Sequence, residues 1–238
     1  MNSEYTASAS RPDQACTPDA VRIDVLDLCA EIFQGPDLES FPALLGQELP
    51  DLARRTADCG SPLAEPLAFL IQVSPCMASS NDINASLADL ESAYVSLFIN
   101  ARGGIQAPLY ESCHTPNGGR LMGPPAEAMS ERLVQAGLTL VDGLAEPPDH
   151  LSIELEYLAF LLTEALDEDN PALATLARDF ALQVLPAWRR WADTLESVIP
   201  AEPDTTRAST DGSIGRTPEA FFRAAARLTL AALNPVSD

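Results

Sequence analysis

Cys113-His114 and Asp149-His150 hold the residue types of a nucleophilic site. A thiolate needs a nearby base, and that base needs a carboxylate to orient it. The chain has only two histidines, and nothing in the sequence fixes the distance between the pairs. The plainer reading is a neutral, hydrogen-bonding His150 at a helix start, where the positive dipole end disfavours imidazolium. Two histidines and scattered cysteines lack the short ligand spacings of a metal centre. There is no G-x-x-x-x-G-K-[ST] phosphate loop and no lysine at all, so Gly103-Gly104 and Gly118-Gly119 are expected to serve turns. The expectation is no catalytic residue, no metal and no resident cofactor. A small hydrolase built on Cys113 with His114 or His150 is kept as the alternative.

The second pair lies in a corner, Glu146-Pro147-Pro148-Asp149-His150, from which an apolar segment runs towards Leu166. Two prolines stop what precedes them, and Asp149 is expected to cap the helix that follows. Such a corner is either a plain cap or the lip of a site. From Leu133 to Ala177 there is no basic residue, while nine acids fall there, among them Glu146, Asp149, Glu154 and Glu156. That stretch is either a solvated acidic face or a receiver for an arginine-bearing peptide.

The elements that position these residues read as helices. Thr17-Pro18-Asp19 and Thr217-Pro218-Glu219 are start signals, and Pro171 begins another helix after Asn170. Ile83, Leu87, Leu90, Tyr94, Leu97 and Phe98 form one continuous stripe and predict a central core helix. Ala126 to about Leu144 and Leu151 to Leu166 repeat the pattern, and Pro186 is expected to kink or break the helix before Trp188 and Trp191. A weaker helical stretch from Leu38 to Arg55 is interrupted at Pro42 and Pro50. Residues 1–17 read as a disordered tail, 18–238 as one all-α domain of about eight to ten helices, and 100–125 and 200–216 as flexible loops.

The 14 basic residues, all arginine, face 35 acids, for a net charge of -21. Such a field repels nucleic acid and anionic membrane. Five cysteines without a C-x-x-C pair argue against a disulfide scaffold or structural zinc. With no signal pattern and no run long enough to span a bilayer, a cytoplasmic location is expected.

Three pieces then occur in order: Tyr94-Val95-Ser96-Leu97-Phe98, Pro108-Leu109-Tyr110-Glu111-Ser112, and Glu146-Pro147-Pro148-Asp149-His150 followed by Glu154-Leu155-Glu156. Together they resemble the TorD/DmsD/NarJ family of redox-enzyme maturation chaperones. The resemblance covers about residues 83–166 and implies an all-helical, TorD-like cytoplasmic chaperone. It implies as partner a molybdenum-containing oxidoreductase subunit, bound often through its twin-arginine signal peptide until its cofactor is inserted. It places Tyr94, Leu97, Phe98, Pro147, Asp149 and His150 in leader binding and Tyr110, Glu111 and Ser112 in the family's Y-E-S loop. Carboxylates of Glu146, Asp149 and Glu111 are expected to meet the leader arginines, with Leu97 and Phe98 taking its apolar part. Asp149→Ala is accordingly expected to weaken leader binding more than stability. A monomer or a domain-swapped dimer fits the resemblance, and direct binding of nucleotide or molybdenum cofactor is at most an accessory role.

Overall fold

The computed structural model describes residues 17–36, 39–74, 83–100, 104–116, 119–139, 146–199 and 217–235. The expected tail, the loop at 200–216, Leu140 and Val141 lie wholly or almost wholly outside them. The α-helical segments are α1 (Pro18–Gln34), α2 (Phe41–Ala43), α3 (Leu49–Asp58), α4 (Ala64–Val73), α5 (Ile83–Tyr94), α6 (Pro124–Gln135), α7 (Leu151–Asp167), α8 (Pro171–Val198) and α9 (Pro218–Leu233). Among the described residues there is no strand, and the fold is all-α.

The start signals act as their chemistry requires. Thr17 Oγ1 accepts from Ala20 N, Thr217 Oγ1 from Ala220 N, and Asn170 Oδ1 from Ala172 N and Leu173 N. Each bond satisfies a donor of a first turn, and a proline beside it removes another.

Three expectations about prolines and ends are corrected. Pro42 and Pro50 do not interrupt their stretch. Each sits in the first turn of its segment, and a π-turn at Leu44–Glu48 carries the backbone from α2 into α3. Pro186 does not break α8, which runs on for 28 residues. Pro186 and Leu182, the residue whose carbonyl loses its donor, both lie on the exposed side of the helix. Finally, α6 ends at Gln135 and not near Leu144. Gly137 takes a left-handed φ of 73°, and Leu138 N closes back onto Leu133 O at 2.9 Å.

Packing is centred on α7, which lies against α1 and α8. Its sequence is apolar on nearly every side, and Leu151, Ile153, Leu155, Tyr157, Leu158, Ala159 and Leu161 are all buried. The single inward stripe expected for it is too narrow a description, and Leu166, placed on that stripe, is 41% exposed. Leu176 of α8 is likewise exposed.

The predicted helix from Ile83 to Phe98 forms as α5 plus a π-turn at Val95–Ile99. Phe98 sits at the middle of an aromatic cluster, 5.2 Å from Tyr94, 5.4 Å from Phe222, 5.9 Å from Phe33 and 6.4 Å from Trp191 between ring centres. Trp188 and Trp191 are fully buried core residues. No helix among the described residues is long and apolar enough to cross a membrane.

Candidate functional site

The Tyr110 segment and the Glu146 corner are 36 positions apart in sequence and form one structural unit. Tyr110 and His150 face each other in an isolated antiparallel bridge. Glu111 N donates to Asp149 O and Leu151 N donates to Leu109 O, each at 2.9 Å. The Tyr110 hydroxyl donates to Glu146 Oε2 at 2.6 Å, and its ring meets the His150 ring edge-on at 5.3 Å. Two irregular segments thus satisfy each other's backbone groups beside the start of α7.

The helix cap differs from expectation. His150, not Asp149, caps α7, with Nδ1 accepting from Ser152 N at 3.3 Å and lying 2.9 Å from Ser152 Oγ. An accepting Nδ1 assigns the proton of a neutral ring to Nε2. Burial holds the His150 pKa below its ordinary value, against the upward pull of Glu146 and Asp149. Asp149 turns away from its own helix. Its Oδ2 accepts the Ser112 N–H at 2.8 Å and so caps the short 3-10 turn at Glu111–His114. Gly119 packs on the outside of that turn, where a Cβ would lie 1.9 Å from Ser112 O.

Beneath the corner lies a group of buried carboxyls. Glu154 is 1% exposed, and its Oε2 accepts the indole N–H of Trp188 at 2.7 Å. Burial, and then the charge of Glu111, hold the Glu154 pKa well above the ordinary carboxylate value. Glu111 is also raised, by burial and by the charge of Asp149. The two groups act on each other, Glu111 holding the Glu154 pKa up and Glu154 drawing that of Glu111 down, while Glu154 Oε1 is buried without a hydrogen-bond partner. Asp149 Oδ1 and Ser112 Oγ are buried there without partners.

The residues expected to bind a leader divide by exposure. Asp149, His150, Glu111 and Ser112 are buried, as are Tyr94, Leu97 and Phe98. The Tyr94 hydroxyl donates to Phe33 O at 2.9 Å, and its ring packs against Gly35, whose φ of 117° no other residue adopts easily. Half-buried Tyr110, Glu146 and Pro147 reach the surface. The apolar side chains exposed at this end are Val95, Ile99 and Ile105, on the π-turn and the chain that leaves it.

Two carboxylates flank the C-terminal end of α1. Glu146 lies close enough to Tyr94 to act on its hydroxyl electrostatically, and Glu156 Oε1 accepts from Gln34 Nε2 at 2.6 Å. Both are held by neutral donors, and no basic residue occupies the last turn of α1. In the sequence Glu156 stands out only as one acid of the basic-free stretch, with no role of its own. The available signal was a carboxyl inside a segment apolar on every side, and the same signal marks Glu154.

The nucleophile arrangement is not assembled. His114 Nε2 lies 2.7 Å from Pro108 O, and the Nδ1 of His150 is engaged by Ser152. Burial, then the charge of Asp149, push the Cys113 thiol up, away from thiolate. Among the described residues no group of three or more histidine, cysteine or acidic side chains is placed to hold a metal ion.

The family model described as nitrate reductase delta subunit matches residues 56–192. A protein of Vibrio cholerae serotype O1 named chaperone protein TorD is 35% identical over 104 residues, 42% of this chain and 46% of that protein. A protein of the same name from a Psychrobacter species is 35% identical over 102 residues with the same coverage. The matched region therefore spans about half the length of these relatives. A crystal structure titled as a putative redox enzyme maturation protein from Archaeoglobus fulgidus is 23% identical, covering 92% of this chain and 97% of that one with a TM-score of 0.45.

Proposed function

The chain belongs to the nitrate reductase delta subunit family, the family of TorD-like maturation chaperones, and from that premise we propose that it matures a molybdenum-containing oxidoreductase without catalytic turnover. It binds the catalytic subunit in the cytoplasm through a twin-arginine signal peptide and releases it for export once the cofactor is in place. The named relatives support the chaperone role. The observation that carries the peptide reading is the surface at the end of α1. There Glu146 and Glu156 present carboxylates to which no arginine among the described residues is bonded.

Guanidinium groups suit this place. The C-terminal carbonyls of α1 carry partial negative charge, and a carboxylate held by one neutral donor retains a second oxygen for a cation. In this reading Glu146 and Glu156 meet the paired arginines, and Val95, Ile99 and Ile105 receive the apolar run that follows. Asp149, His150, Glu111 and Ser112 are positioning residues. They fix the Tyr110 segment against the corner, so that Tyr110 holds Glu146 in place. Leu97, Phe98 and Tyr94 anchor the π-turn from within the core.

The test is capture of the client subunit by the full chain from its native host, followed by calorimetric titration with that subunit's own N-terminal peptide. Saturable binding that disappears when the arginine pair becomes a glutamine pair supports the reading. A captured subunit that lacks an arginine pair and binds with full affinity supports the second reading. That reading is an assembly factor for a non-exported subunit, and it is favoured by the nitrate reductase description of the family.

A further inference from the structure

A cavity of about 310 Å³ lies between the start of α1, the turn before α4 and the end of α9, lined by Arg22, Ser61, Pro62, Leu63 and Asn234 among others. Arg22 is 9% exposed. Its Nε donates to Ala232 O at 2.8 Å, a carbonyl in the last turn of α9, which fixes the plane of the guanidinium. Its Nη2 is buried and has no hydrogen-bond partner. A buried cation with an unpaired donor is costly, and here burial lowers the Arg22 pKa. Asp19, one turn earlier in α1, raises it by its charge without bonding to it. Ser61 is buried beside it. Its Oγ accepts from Leu63 N at 3.3 Å, leaving the hydroxyl proton to donate.

We propose that this cavity binds a small monocarboxylate with an apolar body, its carboxylate on Arg22 Nη2 and the Ser61 hydroxyl, its body against Pro18, Pro62, Leu63 and Ala231. The walls select the apolar body, because they offer few polar partners. The one positive charge of the guanidinium and the chain's charge of -21 select one negative charge over two or three. The volume suits a molecule of amino-acid size. The site is separate from the corner at Glu146–His150 and does not depend on the chaperone reading.

The probe is N-acetyl-leucine, titrated into the full chain by calorimetry at neutral pH and low salt, beside N-acetyl-leucinamide and inorganic phosphate. The expected result is saturable one-to-one binding of the carboxylate, none of the amide, and weaker binding of phosphate. Arg22→Met should lower the affinity at least about tenfold, the loss expected for a charge-assisted hydrogen bond. Asn234→Trp, at an exposed rim position, should block the cavity while helicity stays unchanged, so the test survives if Arg22→Met does not fold. Absence of saturable binding, equal binding of the amide, tighter binding of phosphate, or wild-type affinity in the Asn234→Trp protein would each overturn the proposal.

Discussion

Replacing Asp149 separates a structural carboxylate from a contacting one. Asp149→Ala leaves the Ser112 N–H buried without its 2.8 Å acceptor, in a residue that is 1% exposed. An unpaired buried donor costs about 1–3 kcal/mol. Removing a negative charge from beside Glu111 and Glu154, both raised in pKa partly by Asp149, offsets some of that cost. The net expectation is a loss of about 1–2 kcal/mol, or roughly 2–8 °C in a chain of this size. Asp149→Asn keeps an acceptor for Ser112 and places a donor where Oδ1 now has no partner. It should be at least as stable as the wild type. Urea unfolding followed by circular dichroism checks both, with the slope m required to stay constant so that midpoints compare directly. Equal midpoints for the Ala and Asn proteins would refute the reasoning, as would an unshifted Ala protein. The initial expectation of a binding defect larger than the stability defect is revised on this geometry, because the side chain faces inward.

Other outcomes follow from the same corner. A carboxyl whose folded pKa lies above its ordinary value of 4.5 contributes stability that is complete below that value and lost as pH rises through the folded one. Glu154→Gln keeps an acceptor for Trp188 and does not ionise, so it should flatten the fall in stability above pH 4.5 and exceed the wild type at neutral pH. Midpoints measured in urea across that range decide it, and an unchanged pH profile would count against the raised Glu154 pKa. Gly119→Ala should cost about 1–3 kcal/mol by forcing the Glu111–His114 turn aside, read as a drop in melting temperature. Cys113→Ser should leave client-peptide affinity unchanged in calorimetry, whereas the hydrolase alternative requires that thiol.

Much of the fold was legible in local chemistry. Thr17-Pro18, Asn170-Pro171 and Thr217-Pro218 announce helix starts because capping needs only neighbours in sequence. The path through Pro186 was not legible, since it depends on which side of α8 faces water. Nor was the bridge from Tyr110 to His150, because pairing across 40 positions leaves no periodic trace. Only the ordered resemblance of the motifs pointed to a common site. The exchange of cap roles between Asp149 and His150 has the same origin, for Asp149 finds a better donor in Ser112 than in its own helix. Burial of Glu154 was readable in principle from the apolar residues on every side of it.

The central claim is that Glu146 and Glu156, at the end of α1, receive the arginine pair of a client leader. Their neutral donors, Tyr110 and Gln34, bond equally well to a glutamine carbonyl, so the double variant Glu146→Gln/Glu156→Gln should keep its fold. Titration of the client's leader peptide into wild type and double variant is the direct measurement. Each lost charge-assisted bond is worth about 1.5–3 kcal/mol, so affinity should fall at least about a hundredfold, and the wild type alone should weaken steeply with salt. Equal affinities in the two proteins would contradict the account.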